Sequence, residues 1–172
     1  MILCVGPKGC GKTLLLKRLQ LESFPKNEIT SEEVIPTTVP TVGINITTIK
    51  LSRKVDTTIH ELGGAMAPIW PCHFSQCRGL MFVIDTSNLM QISAACIQLY
   101  EIVTHESLQT AQILIILNKI DVPVTTSIIE VKDVLRLEQL KQHAKQSIET
   151  VEVSAFSGDG VENIRKWLLQ FQ

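Results

Sequence analysis

Eight residues near the start, GPKGCGKT from Gly6 to Thr13, have the types and spacing of a phosphate cradle. The stretch fits GxxxxGK(S/T), and it stands directly after the apolar run MILCV and directly before a helical pattern. A loop of this kind turns successive backbone N–H groups towards one anion; here they run from Gly6 through Lys8, Gly9, Cys10 and Gly11 to Lys12. The positive end of the following helix points the same way. Glycines at 6, 9 and 11 allow the close approach, Lys12 reaches the outer phosphates, and the Thr13 hydroxyl is placed for Mg²⁺. Lys8 has two readings: a solvated loop lysine, or a cation resting near a terminal phosphate.

A phosphate loop does not choose a base, but NKID does. Asn118, Lys119 and Asp121 follow ILIIL and so lie at the carboxyl end of a buried strand, where open α/β sheets bind ligands. Guanine offers N1–H and an N2 amine as adjacent donors, and the Asp121 carboxylate can accept both. Adenine has an acceptor at N1 and no such amine. VSAFSGDG repeats the placement: Ser154 and Ala155 close another strand end, with the Ala155 N–H available for guanine O6. Three such pieces in this order point to GTP or GDP with Mg²⁺ and leave a kinase or ATPase reading far behind.

The elements that must hold these loops alternate. Residues 1–5 predict a strand and Thr13 to about Leu21 a helix. GINITTIKLS and KVDTTIHEL are alternating, β-branched runs that suit an antiparallel pair. GLMFVID and AQILIILN are continuous apolar runs of the kind buried on both faces of a parallel sheet. Helices are expected over about Met90 to Thr104 and Ile128 to Ala144. SIETVEVSA predicts the last strand, and VENIRKWLLQF an amphipathic helix after the SGDG turn. Strands alternating with helices imply an α/β fold with a mostly parallel sheet. From Ser23 to Pro40, three prolines and few large apolar residues predict a mobile loop.

Composition removes several function classes. At 172 residues the chain can bury a core without metal or disulfide staples, most simply as one domain over 1–172. The formal net charge of -1 provides no bulk field for nucleic acid or an anionic membrane. Apolar runs such as LMFVID are too short to cross a bilayer. Cys72, His73 and Cys77 cluster, but no second ligand pair completes a zinc pattern, so reduced thiols in a cytoplasmic protein are expected. MILCVG has no charged leader, no glycine follows Met1, and LLQFQ carries no prenylation cysteine. The expectation is a monomer with no direct membrane anchor, which meets membranes only through a partner.

GxxxxGKT, PTVGIN, ELGG, NKID and SAFSGDG, in that order, resemble the Arf and Arf-like small GTPases over essentially the whole chain. The resemblance implies a P-loop GTPase fold: a six-stranded, mostly parallel sheet with one antiparallel strand and helices on both faces. It implies that Thr41, in the first switch, ligates Mg²⁺ and senses a γ-phosphate, and that the Gly64 N–H contacts that phosphate. Effector proteins that bind the GTP form are implied as partners, with exchange or activating factors. The amphipathic N-terminal helix with which Arf proteins hold membrane has no counterpart in these residues.

The departures bear on catalysis. Glu61 stands where the family has aspartate, one methylene longer but still able to hold a metal-bound water. His60 replaces a tryptophan, and Ala65 stands where a glutamine orients the attacking water. Only Ala65, Met66 and Ala67 separate Gly64 from PIW, where the family usually has five residues. The expectation is a guanine-nucleotide switch with weak or partner-dependent hydrolysis and no confident catalytic residue. The alternative is a GTP-binding interaction protein whose nucleotide is mainly structural.

Overall fold

The computed structural model describes residues 1–21, 38–52 and 54–171. The loop from Ser23 to Pro40 lies outside them except for its last three residues. Strands β1 (Ile2–Val5), β2 (Ile44–Ser52), β3 (Val55–Leu62), β4 (Gly79–Asp85), β5 (Gln112–Asn118) and β6 (Ile148–Val153) form one sheet in the order β2-β3-β1-β4-β5-β6. The β2–β3 pair is antiparallel and every other pair is parallel. The helices are α1 (Lys12–Leu21), α2 (Leu89–Thr104), α3 (Ile128–Val134), α4 (Leu137–His143) and α5 (Val161–Leu168).

The continuous apolar strands are buried on both faces because each face has its own cover. Leu80, Phe82 and Ile84 of β4 join a cluster with Ile92 and Leu99 of α2 and Leu137 of α4. Met81 and Val83 point the other way, into a cluster with Leu15 and Leu19 of α1 and Ile164 and Trp167 of α5. Alternation along one strand therefore feeds two cores. Parallel pairing also brings carboxyl ends together: Asp85 lies opposite Asn118, and Asn118 opposite Val153.

One stretch differs from expectation, and a second forms an element where none was expected. The helix expected over Ile128 to Ala144 is two seven-residue helices separated at Arg136, whose φ of 50° is left-handed. The cause is a phase change in the apolar pattern. Val131 and Leu135 face the core, but the same face of a straight helix would next present Glu138 and Gln139, whereas Leu137 and Leu140 are buried. The second stretch is the one after Gly63, which forms a 3-10 segment over Gly64–Gln76. Pro68 and Pro71 lack the N–H groups a regular α-helix needs, while Trp70 and Phe74 are each 2% exposed and pin the segment to the sheet.

Candidate functional site

The phosphate loop runs from the end of β1 into α1, and its residues hold one another. Lys12 is buried, and its Nζ donates to the carbonyls of Gly6 and Pro7, 2.9 Å each. The Cys10 sulfur lies 3.7 Å from the same nitrogen. Burial raises the Cys10 thiol pKa and the Lys12 charge opposes that rise. The first turn of α1 has no acidic residue of its own to cancel the positive helix end. Gly11 has a φ of 95°, and a Cβ at that position would lie 2.3 Å from Asn118 Nδ2.

Three oxygen-bearing side chains from three elements meet beside this loop. The Thr13 hydroxyl donates to Glu61 Oε1 at 2.5 Å, the Thr41 hydroxyl donates to the same oxygen at 3.0 Å, and the two hydroxyls are 3.0 Å apart. Asn45 Nδ2 donates to Glu61 Oε2 at 3.3 Å. Glu61 is fully buried, and no ion pair among the described residues neutralises it. Hydroxyl and carboxylate oxygens gathered at one point fit a hard divalent cation such as Mg²⁺. The extra methylene of Glu61 is accommodated: its carboxylate reaches both threonines.

The chain after β3 is pressed against both the loop and the residues after Thr41. A Cβ on Gly64 would lie 2.4 Å from the Lys8 nitrogen, and one on Gly63 would lie 2.4 Å from the Thr41 carbonyl oxygen. The Gly63 N–H donates to Gly43 O at 3.0 Å, the Gly43 N–H donates to Met66 Sδ at 3.0 Å, and Trp70 Nε1 donates to Gly63 O at 3.2 Å. The shortened segment is thus closed by Met66 and Trp70. Lys8, Gly9, Gly11, Lys12, Thr13, Thr41, Glu61, Gly64 and Ala65 line one cavity of about 270 Å³.

The base-side residues form a second, hydrogen-bonded group. Asn118 is 1% exposed; its Nδ2 donates to Cys10 O at 2.8 Å and its Oδ1 accepts the Ala155 N–H at 3.0 Å. One amide therefore ties the phosphate loop to the loop after β6. An O6 acceptor at Ala155 would share or replace the Asn118 oxygen. The Ser154 hydroxyl donates to Asp121 Oδ1 at 2.5 Å, which fixes the carboxylate direction. Lys119, with a φ of 68°, donates from Nζ to Asp85 Oδ2 at 2.6 Å.

Sequence reasoning missed four supports. Asp85 closes β4 and also takes the Ser87 N–H and hydroxyl; its place at a strand end was the available signal. Arg18 of α1 donates from Nε to Ala155 O at 3.2 Å and from Nη2 to Phe156 O. Gln91 of α2 donates from Nε2 to Lys8 O at 2.9 Å. Trp70, already described, is the fourth. No local pattern marks Arg18 or Gln91, because their partners are 137 and 83 residues away, and Trp70 reaches back 7 residues to Gly63 from outside the ELGG string.

Comparison with known proteins follows the same outline. The sequence pattern of the ADP-ribosylation factor family matches residues 1–172. ADP-ribosylation factor-like protein 16 of Homo sapiens is 45% identical over 168 residues, covering 98% of this chain and 84% of that protein. ADP-ribosylation factor-like protein 1 of Saccharomyces cerevisiae is 33% identical over 170 residues, covering 98% and 85%. Among solved structures, the Arl6 BBS3 small GTPase from Trypanosoma brucei, with the bound nucleotide analogue GppNp, superposes with a TM-score of 0.78. That match is 20% identical and covers 99% of this chain and 95% of that one, a likeness of fold.

Proposed function

The chain belongs to the ADP-ribosylation factor family, a family of guanine-nucleotide-binding small GTPases, and from that premise we propose how its own residues work. Backbone N–H groups from Gly9 to Thr13, with Lys12, hold the phosphates. Asn118, Lys119, Asp121, Ser154 and Ala155 form the guanine pocket, in which Asp121 accepts from N1–H and the N2 amine. Thr13 and Thr41 ligate Mg²⁺, and Glu61 holds one of its waters. When bound, Mg²⁺ supplies positive charge beside the phosphate oxygens. The observation that carries a switch is the convergence of Thr41 on Thr13 and Glu61, because it links the first switch to the phosphate end of the site.

Hydrolysis is weak or partner-dependent. Phosphoryl transfer in this fold depends on a water held in line. Ala65 lines the cavity but has no polar side-chain atom to hold one. Effector proteins read the GTP form. The family's exchange and activating factors would act on the first switch at Thr41 and on a second switch, the segment after Gly63 that carries Ala65. No helix among the described residues is long and apolar enough to cross a membrane. Independently of that, we place the protein in the cytoplasm as a monomeric domain.

Single-turnover hydrolysis after loading with GTP and Mg²⁺, with ATP as competitor during loading, tests both halves. GTP should load against excess ATP and turn over no faster than the intrinsic rate of an unaided small GTPase, on the order of 10⁻⁴ s⁻¹. Ala65→Gln alone should change little, because the segment is also short; lengthening it to five residues as well should raise the rate. Equal loading of ATP would end the guanine assignment. A fast wild-type rate would mean that another group, with His60 or Glu61 first among candidates, orients the water.

A further inference from the structure

Among the described residues, Lys8 is the cation at the phosphate end that the function above leaves without a task. We propose that it is a second phosphate-binding cation, one that contacts the terminal phosphate and makes the site prefer the triphosphate to the diphosphate. This rests on the guanosine-phosphate assignment and adds to it the basis of discrimination between the two nucleotides.

The position of Lys8 is fixed from two sides. Its carbonyl accepts from Gln91 Nε2 of α2 at 2.9 Å. Its nitrogen and Cα lie where a Cβ on Gly64 would collide, at 2.4 and 2.7 Å, so the second switch rests directly on its backbone. The side chain is exposed and lines the same cavity as Thr41, Gly64 and Ala65, the end away from the base-side loops. None of the ion pairs among the described residues involves Lys8. Lys12 differs in this respect, because its ammonium already serves the carbonyls of Gly6 and Pro7.

Charge matching gives the selectivity. With one Mg²⁺, a nucleoside triphosphate carries one more negative charge than the diphosphate. Among the described residues, the ionisable side chains lining the cavity are Lys8, Lys12 and Glu61, and of these Lys8 decides between a neutral lining and one with a net positive charge. A flexible four-carbon stem lets an ammonium follow a phosphate as a point charge. Ala65 lines the same cavity and brings no charge to it.

The test is a set of dissociation constants for GTPγS and GDP at fixed Mg²⁺ and salt, for wild type, Lys8→Ala and Lys8→Arg. Lys8→Ala should weaken GTPγS by about tenfold or more, the scale of one lost charge-assisted hydrogen bond, and GDP by less than about twofold. Lys8→Arg should keep most of the preference for the triphosphate. GTPγS affinity should also fall more steeply with added salt in wild type than in Lys8→Ala. Equal losses for both nucleotides, or no loss, would overturn the assignment of Lys8. Failure of the wild type to bind either nucleotide would instead overturn the guanosine-phosphate assignment beneath it.

Discussion

Glu61 and Asn118 hold together what their neighbours need. The Glu61 carboxylate is the shared acceptor of Thr13 and Thr41, and it is fully buried. Glu61→Gln keeps the shape but removes the charge that a cation requires, while Glu61→Ala also strands two hydroxyls. Nucleotide release measured against Mg²⁺ concentration should be slowed by Mg²⁺ in wild type. In both variants that slowing should shrink by about tenfold or more, given 1.5–3 kcal/mol for hydrogen bonds to a charged group. The thiols offer a second residue-level check. Cys72 is exposed, whereas Cys77 is buried and donates to Gly79 O, and burial pushes its pKa up to about 11. Because the thiolate is the reactive form, alkylation at pH 8 followed by mass spectrometry should label Cys72 well before Cys77. At this scale the phosphate loop and the base motif were legible, since each is a local string with a fixed backbone path. The reach of Glu61 was not, because side-chain length alone cannot say whether β3 lies near enough to the two threonines. Arg18 and Gln91 act across the fold and leave no local trace.

Among elements, the seam between β3, the 3-10 segment and the phosphate loop leaves no room for a side chain. A methyl group on Gly64 meets backbone of Lys8 and Pro7 rather than a flexible side chain. Gly64→Ala must therefore push the second switch off the loop, and should cost about 1–3 kcal/mol of stability, as overpacking does. Urea unfolding would measure it, with an unchanged slope showing that the folded state is otherwise intact. The split between α3 and α4 could be read in the sequence by phase, since the apolar positions shift register after Leu135. The 3-10 segment was harder: two prolines argue against a helix, and only the burial of Trp70 and Phe74 explains why the chain still winds there.

For the whole molecule, every proposed binding group sits on a loop or element end along one rim, the carboxyl-end rim of the parallel strands, in a sheet packed on both faces. Nucleotide binding should thus add to global stability by simple linkage, since a ligand that binds only the folded state stabilises it. At a hundred times its dissociation constant, GTP with Mg²⁺ should contribute about 2.7 kcal/mol and raise Tm by roughly 5–11 °C in a chain of this size. Scanning calorimetry or fluorescence melting should show this shift with GTP and none with ATP at the same concentration. The sheet was legible because its strands are continuous apolar runs or alternating β-branched pairs, with only strand ends left to adjust.

Asn118 uses both ends of one amide inside the protein, holding the Cys10 carbonyl on one side and the Ala155 N–H on the other. The two halves of the proposed cleft therefore stand at a set separation. A cleft so braced acts as a ruler. It recognises the span from base to phosphate as well as the chemistry at each end. Guanosine and free triphosphate supplied as separate molecules should then bind far more weakly than the joined nucleotide, because only the covalent link makes binding at the second end an intramolecular event.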